Sequence, residues 1–273
     1  MGGPYFIKTL INRTFSQRFF WSRLSRYPVL GRLIEFLFFE DDDIIYLPRD
    51  DAISIPVNAP LTSREDTVLP SQILEYFIRQ AGYHWIMDFC ICRDSSRCKD
   101  YPIDLGCIFL GEAAMGINPR FGRRATVEET LEHAARCREA GLVHLIGRNK
   151  LDTVWLNVGP GRKLLTVCNC CPCCCLWKML PEINTRISPK VHRLPGVAAI
   201  VSDNCIGCGT CSKNVCFVDA IRLNGKRAVI SDDCRGCGRC VTVCPKNAIT
   251  IKIDNPDRIP AAIDMIKNLV DVT

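Results

Sequence analysis

The chain has 273 residues, and its composition of 48% hydrophobic and 23% charged residues is that of a folded protein rather than a disordered one. Its 19 cysteines exclude a simple disulfide scaffold, because such secreted proteins are usually shorter than about 80 residues and an odd number leaves one thiol unpaired. The net charge of +6 comes without an RNA-binding motif, a paired-histidine zinc finger or a Lys/Arg tract, so we expect metal ligation in a reducing cytoplasm and no nucleic-acid partner.

Residues 1–43 predict a basic helical arm. Before the first acidic residue, Glu35, the stretch carries six basic residues: Lys8, Arg13, Arg18, Arg23, Arg26 and Arg32. These charges fall all round a helical wheel, which favours an arm that docks on a redox partner protein over a helix that lies on a membrane. Peripheral membrane contact through the arm is the alternative. No uncharged apolar run reaches about 18 residues, so we expect no transmembrane segment.

Residues 44–196 predict a small α/β domain. The segment "LPSQILEYFIRQAG" predicts a helix with Pro70 in its first turn and Gly82 at its end. The segment "TVEETLEHAARCREAG" predicts a second helix, with a capping box between Thr126 and Glu129 and with Gly141 closing it. Strands are predicted for the runs "HWIMDFCICR", "LVHLIG", "TVWLNV" and "KLLTVC".

The first cysteine group of this domain is Cys90, Cys92, Cys98 and Cys107. If residues 85–92 form a strand, Cys90 and Cys92 point to the same face and can hold one metal centre. Cys98 and Cys107 then come from loops and complete a set of four. A zinc ion and a [4Fe-4S] cubane both fit this number of ligands.

The second group lies in "LLTVCNCCPCCC", which packs six cysteines into eight positions: Cys168, Cys170, Cys171, Cys173, Cys174 and Cys175. A strand that continues from Lys163 places Cys168 and Cys170 on one face, and a helix is expected after Pro172. Neighbouring cysteines point apart, so the pattern favours two centres over one. We therefore predict one or two additional [4Fe-4S] clusters in this domain. Cys137, alone in a predicted helix, is interpreted as a core residue.

Residues 197–254 contain two regular runs of cysteines, "CIGCGTCSKNVC" and "CRGCGRCVTVCP". Their spacings are C-x2-C-x2-C-x4-C and C-x2-C-x2-C-x3-C-P, and the surrounding residues repeat with a period near 29. This part of the chain resembles the bacterial two-cluster ferredoxins, which hold two [4Fe-4S] cubanes. More loosely, the cysteine-rich front half looks like those of larger ferredoxin-like proteins of anaerobes.

The resemblance implies a ferredoxin-type domain with pseudo-two-fold symmetry and crossed ligands, since the fourth cysteine of each run binds the other cluster. Cluster I would take Cys205, Cys208, Cys211 and Cys244. Cluster II would take Cys234, Cys237, Cys240 and Cys216. Four glycines (Gly207, Gly209, Gly236 and Gly238) would let the backbone approach the clusters. Two zinc sites are the alternative, but zinc does not require three evenly spaced cysteines plus a remote fourth.

Two departures from the ferredoxin pattern concern Cys216, the fourth cysteine of the first run. Phe217 stands where a proline usually follows, and four residues rather than three separate Cys216 from Cys211. Both change the turn at Cys216, so an altered environment is expected for cluster II. Around the ligands, short strands are predicted at "GVAAIVSDN" and "AITIKID", a hairpin turn at Asn224-Gly225, and short helices after Cys211 and Cys240.

The whole chain is therefore expected to be α+β, with residues 255–273 forming a C-terminal helix. Two oxidised cubanes, each about −2, would reduce the charge of +6 to about +2, and three would reduce it to about zero. No phosphate-binding loop or catalytic set is found, and the four histidines are interpreted as structural. The sequence predicts an electron carrier that passes single electrons at low potential, as a subunit or partner of a larger oxidoreductase. The alternative is a reductase whose front-domain cluster acts on a substrate.

Overall fold

The N-terminal arm is helical, as predicted. The computed structural model describes residues 3–54, 69–255 and 257–273. Three helices form the arm: α1 (Phe6–Thr14), α2 (Arg18–Leu24) and α3 (Pro28–Phe38). The arm packs on the rest of the chain, because the Gly3 amide donates to the Leu156 carbonyl at 2.6 Å and the Asn184 amide donates to Ser25 Oγ at 2.9 Å.

Residues 43–193 are here called the front part, and most of their strands belong to one seven-stranded sheet. Along the chain the strands are β1 (Asp43–Tyr46), β2 (Ile53–Ser54), β3 (His84–Met87), β4 (Ile108–Leu110), β5 (Gly122–Arg124), β6 (Val143–Arg148), β7 (Leu165–Cys170) and β8 (Val191–Arg193). The order in the sheet is β5-β3-β4-β7-β6-β1-β8, and β2 lies elsewhere. In this sheet only β1 and β8 pair in parallel among the residues described. The sheet is therefore mainly antiparallel, which corrects the expected α/β domain towards an α+β arrangement.

Two predicted helices are confirmed and cover one face of this sheet. They are α4 (Pro70–Gln80) and α6 (Val127–Glu139). The capping box of α6 is formed, with the Glu129 amide 3.2 Å from Thr126 Oγ1 and the Thr126 amide 2.8 Å from Glu129 Oε2. The C-terminal helix α9 (Arg258–Leu269) packs beside α4, and the three helices bury one apolar core against the sheet.

One strand prediction is wrong, and another is confirmed only for its first four residues. β3 ends at Met87, and helix α5 (Ile91–Ser96) follows, with Cys90 at its N-cap and Cys92 inside it. The pairing of β3 with β4 and β5 does not extend past Met87, so no ladder holds residues 88–92 extended. The run "TVWLNV" lies in and just after helix α7 (Lys150–Leu156). Asn149 caps α7, accepting from the Leu151 amide at 3.2 Å, and Asn157 ends it with φ of 51°.

The cysteine runs of residues 197–254 lie between short strands that were predicted. β9 (Val197–Val201) and β12 (Ile249–Ile253) pair antiparallel, and β2 from the front part adds to β12 in parallel. β10 (Ile221–Asn224) and β11 (Arg227–Ile230) form the expected hairpin. A 3-10 turn (Thr210–Ser212) and helix α8 (Arg239–Thr242) contain Cys211 and Cys240 rather than following them. Among the residues described, no helix is long and apolar enough to cross a bilayer.

Candidate metal centres

The two regular cysteine runs repeat the same local geometry. Asp219 and Asn247, at matching positions, both have a left-handed backbone with φ of 51° and 47°. The amide of the next residue then donates to a cysteine sulfur, Ala220 to Cys216 Sγ at 3.3 Å and Ala248 to Cys244 Sγ at 3.2 Å. All four glycines singled out in the sequence also have positive φ. Backbone N–H groups aimed at sulfur favour ionised thiolates, the form in which cysteine binds metal.

The four cysteines assigned to cluster I lie together. Cys205, Cys208, Cys211 and Cys244 line one cavity between the first run and the residues that follow the second run. The pKa of the Cys211 thiol is raised first by burial and then by the thiolates of Cys205, Cys244 and Cys208. Cys208 is exposed, so this site meets the surface. The structure thus brings the distant Cys244 to the three cysteines of the first run.

The four cysteines assigned to cluster II also lie together, in a more buried position. The pKa of the Cys237 thiol is raised to about 12, first by burial and then by the neighbouring thiolates of Cys234 and Cys216. The pKa of Cys240 is raised by burial and by the thiolates of Cys237, Cys234 and Cys216. Cys216, Cys234 and Cys237 pack against the same apolar core as β7. Burial of this set is deeper than that of the first, which includes the exposed Cys208.

The comparisons with known proteins agree with this geometry. A family model described as a 4Fe-4S dicluster domain matches residues 198–251. The chain is an iron-sulfur protein. A comparison with curated proteins and another with solved structures each found no match. The family match covers both regular runs and leaves the front cysteines outside it, so only the geometry of this iron-sulfur protein bears on the front cysteines.

The front cysteines regroup across the two sequence clusters. Seven cysteines line one cavity of about 250 Å³, and one of them is Cys171. The other six are here called the front set: Cys90, Cys92, Cys107, Cys168, Cys170 and Cys175. They come from the start of α5, the residue before β4, and β7 with the turn after it. The sulfurs of Cys170 and Cys175 are 3.2 Å apart. The grouping of Cys90, Cys92 and Cys107 with Cys98, expected from their order along the chain, is therefore wrong.

Cys98 instead joins three cysteines of the second group. The ligand atoms of Cys98, Cys171, Cys173 and Cys174, here called the tetrathiol set, all lie within 4.8 Å of one another. The helix expected from Cys173 to Leu180 is not formed, and only a 3-10 turn (Leu176–Met179) is present. The chain between Cys170 and Cys175 is a tight turn at Pro172, which allows adjacent cysteines to face different centres.

A buried arginine lies between the front set and the tetrathiol set. Arg93 has no solvent exposure, and its guanidinium donates to the carbonyl of Asn169 at 2.7 Å and to that of Leu105. Burial alone would lower the Arg93 pKa, but the thiolates of Cys90, Cys171, Cys107 and Cys170 outweigh it and raise the pKa. A buried guanidinium needs negative charge nearby, and thiolates that bind metal supply it. The sequence contained one signal for this, since Arg93 directly follows Cys92.

A second buried polar group lies between the front set and cluster II. Among the described residues, the hydroxyl of fully buried Tyr46 has no hydrogen-bond partner. Its pKa is raised well above the usual value, first by burial and then by the thiolates of Cys175, Cys170 and Cys237. An unpaired buried hydroxyl fits a sulfur-rich acceptor beside it, as inorganic sulfide or a ligand thiolate would provide. Nothing in the sequence distinguished Tyr46.

The four histidines and Cys137 belong to none of the thiol sets described above. His84 and His133 contact the carbonyl oxygens of Ile78 and Gly106 at 2.6 and 2.9 Å. His144 contacts Asn169 Oδ1 at 2.8 Å, and His192 contacts Asp43 Oδ1 at 2.7 Å. Cys137 is fully buried in the core, and burial raises its pKa to about 12. These contacts agree with structural roles for all five side chains.

Proposed function

We propose that this iron-sulfur protein passes single electrons at low potential between redox partners through three [4Fe-4S] clusters. Two would be held by the dicluster domain, with the crossed ligand sets given above, and the third by cysteines of the front set. When bound, such clusters supply one-electron redox chemistry. The observation that carries the proposal is that the three thiol sets are joined by two shared apolar cores.

Cys216 belongs to both of these cores. One core contains Cys211 and Cys240 with Cys205, Cys216 and Cys244 packed against it, and so joins the two sets of the dicluster domain. The other contains Cys170 and Cys175, with Cys168, Cys216, Cys234 and Cys237 packed against it. Phe217 lies in this second core and meets Tyr46 edge-on, with ring centroids 5.6 Å apart. Cluster I, cluster II and the front set would thus form one series.

The front set fits a cubane because it offers more than four thiols in a mainly apolar setting. Arg93 would offset part of the negative charge of the bound cluster. Arg18 supplies a second cation, since the thiolates of Cys92, Cys175 and Cys174 partly offset the lowering of its pKa by burial. Buried cations beside a cluster favour its reduced, more negative state, and they are one means by which a protein sets a cluster potential.

The N-terminal arm would dock the protein to a redox partner in the cytoplasm. Its three helices expose large apolar side chains: Phe6, Leu10, Phe20, Trp21, Tyr27, Val29, Leu33, Phe36 and Leu37. Exposed apolar surface on this scale is typical of an interaction site. Phe15 and Phe38 of the arm also line the front cavity, so a partner on the arm would sit close to the front set. The partner would be a larger oxidoreductase, and an anionic membrane surface is the alternative.

A reductase is the second candidate function, and one observation favours it. A second apolar cavity, of about 320 Å³, lies between the arm and the front part. It shares five lining residues with the front cavity: Ile11, Phe15, Phe38, Leu151 and Leu176. A small apolar substrate there would lie next to the front set. A change in the spectrum of one cluster on adding such a substrate would favour this function over electron transfer alone.

Iron and acid-labile sulfide analysis of anaerobically purified protein tests the proposal. We expect about twelve sulfides per chain, and about eight in the quadruple variant Cys90→Ser/Cys107→Ser/Cys168→Ser/Cys170→Ser, because fewer than four thiols then line the front cavity and the front cluster is lost. Cys137→Ala, which removes a buried cysteine outside the front set, should keep all the sulfide of the wild type. About eight sulfides in both the wild type and the quadruple variant would contradict a front cluster. Colourless protein with no reducible paramagnetic signal would contradict the electron-transfer function itself.

A further inference from the structure

The tetrathiol set has the dimensions of a site for a single ion. Cys173 Sγ lies 3.6 Å from Cys98 Sγ, 3.5 Å from Cys171 Sγ and 3.5 Å from Cys174 Sγ. Four sulfurs placed tetrahedrally around one ion, with metal–sulfur bonds of about 2.3 Å, are about 3.8 Å from one another. The sulfurs are also too far apart to be bonded, since a disulfide brings them to about 2.05 Å.

The other thiols of this chain provide an internal comparison. In the described part of the chain, the tetrathiol set is the only group of three or more His, Cys, Asp or Glu residues whose ligand atoms come within 4.8 Å of one another. The eight cysteines of the dicluster domain are described and do not meet this criterion. A cubane places four irons between its cysteines, so its thiolates lie farther apart than the ligands of one ion. The tetrathiol set is tighter than the two cysteine sets of the dicluster domain.

We propose that Cys98, Cys171, Cys173 and Cys174 bind one tetrahedral metal ion, zinc or iron, and not an iron-sulfur cluster. Tetrahedral coordination by four sulfurs is typical of these two metals. Binding displaces the thiol protons, because the metal binds thiolate. Four thiolates around a divalent ion carry a net charge of about −2. Arg93 lies beside Cys171, and Arg18 near Cys174, so cations accompany this charge.

The surroundings of the set fit a closed structural site. The backbone N–H groups of Asp100 and Tyr101 are hydrogen-bonded to Cys98, and that of Cys174 is hydrogen-bonded to Cys171. Such donors orient metal-binding thiolates. Cys171 and Cys174 are buried, while Cys98 and Cys173 are partly buried. All four positions are taken by sulfur, as in structural zinc sites, so no open position remains for a substrate.

The site would connect the front part to the dicluster domain. Tyr101 packs against the tetrathiol core, and its hydroxyl accepts a hydrogen bond from Arg239 at 2.9 Å. Arg239 also donates to the Gly141 carbonyl at 2.5 Å and directly precedes Cys240 of the second run. The ion would thus fix the loop after α5 against the turn after β7. It would also hold Tyr101 in the position where it accepts the hydrogen bond from Arg239.

Metal analysis of the full chain and of Cys173→Ser tests the proposal, because Cys173 is the thiol closest to the other three. For zinc, we expect one zinc per chain in the wild type and none in the variant, with iron and sulfide unchanged. For iron, wild-type iron should exceed sulfide by one, and the variant should lose this excess. Cys137→Ala is the matched control, since Cys137 is buried in the same apolar cluster as Cys171 and Cys174. Its metal content should equal that of the wild type.

Loss of about four irons and four sulfides in Cys173→Ser would overturn the proposal in favour of a cubane. Unchanged metal content would overturn it in favour of free thiols. If Cys173→Ser does not fold, measurements on the wild type decide the question. X-ray absorption at the zinc edge is used if the ion is zinc, and the excess of iron over sulfide is used if it is iron. Four sulfurs at about 2.3 Å from zinc, with no iron neighbour, are the expected result. The absence of both zinc and excess iron, in protein whose clusters are fully loaded, would contradict the site.

Discussion

Buried polar side chains beside the thiols are the least expected residues of this protein. Arg93 and Tyr46 are fully buried and Arg18 is partly buried, and each has a buried donor atom without a hydrogen-bond partner in the described part of the chain. An unpaired buried donor costs roughly 1–3 kcal/mol. Sulfur of a bound metal centre would satisfy these donors, so their position beside the thiols is itself a sign that the thiols bind metal.

Tyr46→Phe is predicted to lower a cluster potential with little change in stability. The hydroxyl lies near Cys170, Cys175 and Cys237, and a hydrogen bond to cluster sulfur stabilises the reduced state. Losing a hydrogen bond to a charged group, at about 1.5 kcal/mol, lowers a one-electron potential by roughly 60 mV. A redox titration followed by paramagnetic resonance measures the shift. Tyr76→Phe on α4, remote from the thiols in the apolar core, is the control. Equal cluster potentials in both variants would show that the Tyr46 hydroxyl does not donate a hydrogen bond to a cluster.

The candidate metal ligands of the dicluster domain were more predictable than the polar side chains beside the thiols. Cysteine types and spacing identified both runs of the dicluster domain, because three of the four cysteines assigned to each cluster are close in sequence. The departure at Phe217 also has a physical reason, since this side chain fills the core between Cys216 and Tyr46 where a proline ring would leave space. Asn214, with φ of 57°, lies in the longer loop before Cys216. Arg93 and Tyr46 are single residues with no spacing rule, and only the folded chain reveals them.

At the scale of elements, local signals identified some helices and missed others. α4 and α6 carry an initiating proline and a capping box, and both were predicted. α7 carries a cap at Asn149 and a left-handed Asn157, but its apolar run was interpreted as a strand because short apolar segments fit either. The segment 88–107 has no such local signal. Its cysteines are divided between two sets that also contain cysteines of β7 and of the turn after it: Cys90, Cys92 and Cys107 belong to the front set, and Cys98 belongs to the tetrathiol set.

Gly31→Ala is predicted to loosen the arm. Alanine gains about 1 kcal/mol over glycine in a helix interior, so propensity alone predicts stabilisation of α3. The added Cβ would overlap the Ser25 carbonyl oxygen and lie 2.6 Å from Asn184 Nδ2, which donates to that same oxygen at 2.6 Å. Overpacking costs typically about 1–3 kcal/mol, so the overlap outweighs the gain.

The measurement for Gly31→Ala is hydrogen exchange along the arm, together with the melting temperature. Faster exchange in α1 to α3 and earlier melting are expected, while exchange in the dicluster domain stays the same. Gly161→Ala is the matched control, because its Cβ would approach only side-chain atoms, at 3.4 Å or more. Increased stability of Gly31→Ala would mean that the arm does not pack on Asn184 as described.

At the scale of the whole molecule, the arrangement of the centres depends on contacts between distant parts of the sequence. Cys98 meets Cys173, 75 positions further along the chain, together with Cys171 and Cys174. β2 of the front part joins the sheet of the dicluster domain through β12. Cysteine spacing carries no information about such contacts, so the number of front thiols was predictable and their division into sets was not.

The three proposed clusters are predicted to interact magnetically as one series. If the front cluster lies across the Tyr46 and Phe217 core from cluster II, the reduced clusters are close enough for their electron spins to interact. The fully reduced wild type should give a broadened, fast-relaxing paramagnetic spectrum. The quadruple variant Cys90→Ser/Cys107→Ser/Cys168→Ser/Cys170→Ser should retain the signal of the dicluster domain with slower relaxation of cluster II, and Cys137→Ala should match the wild type. Unchanged relaxation after loss of the front cluster would show that the centres are not adjacent, and the front set would then need its own route to a partner.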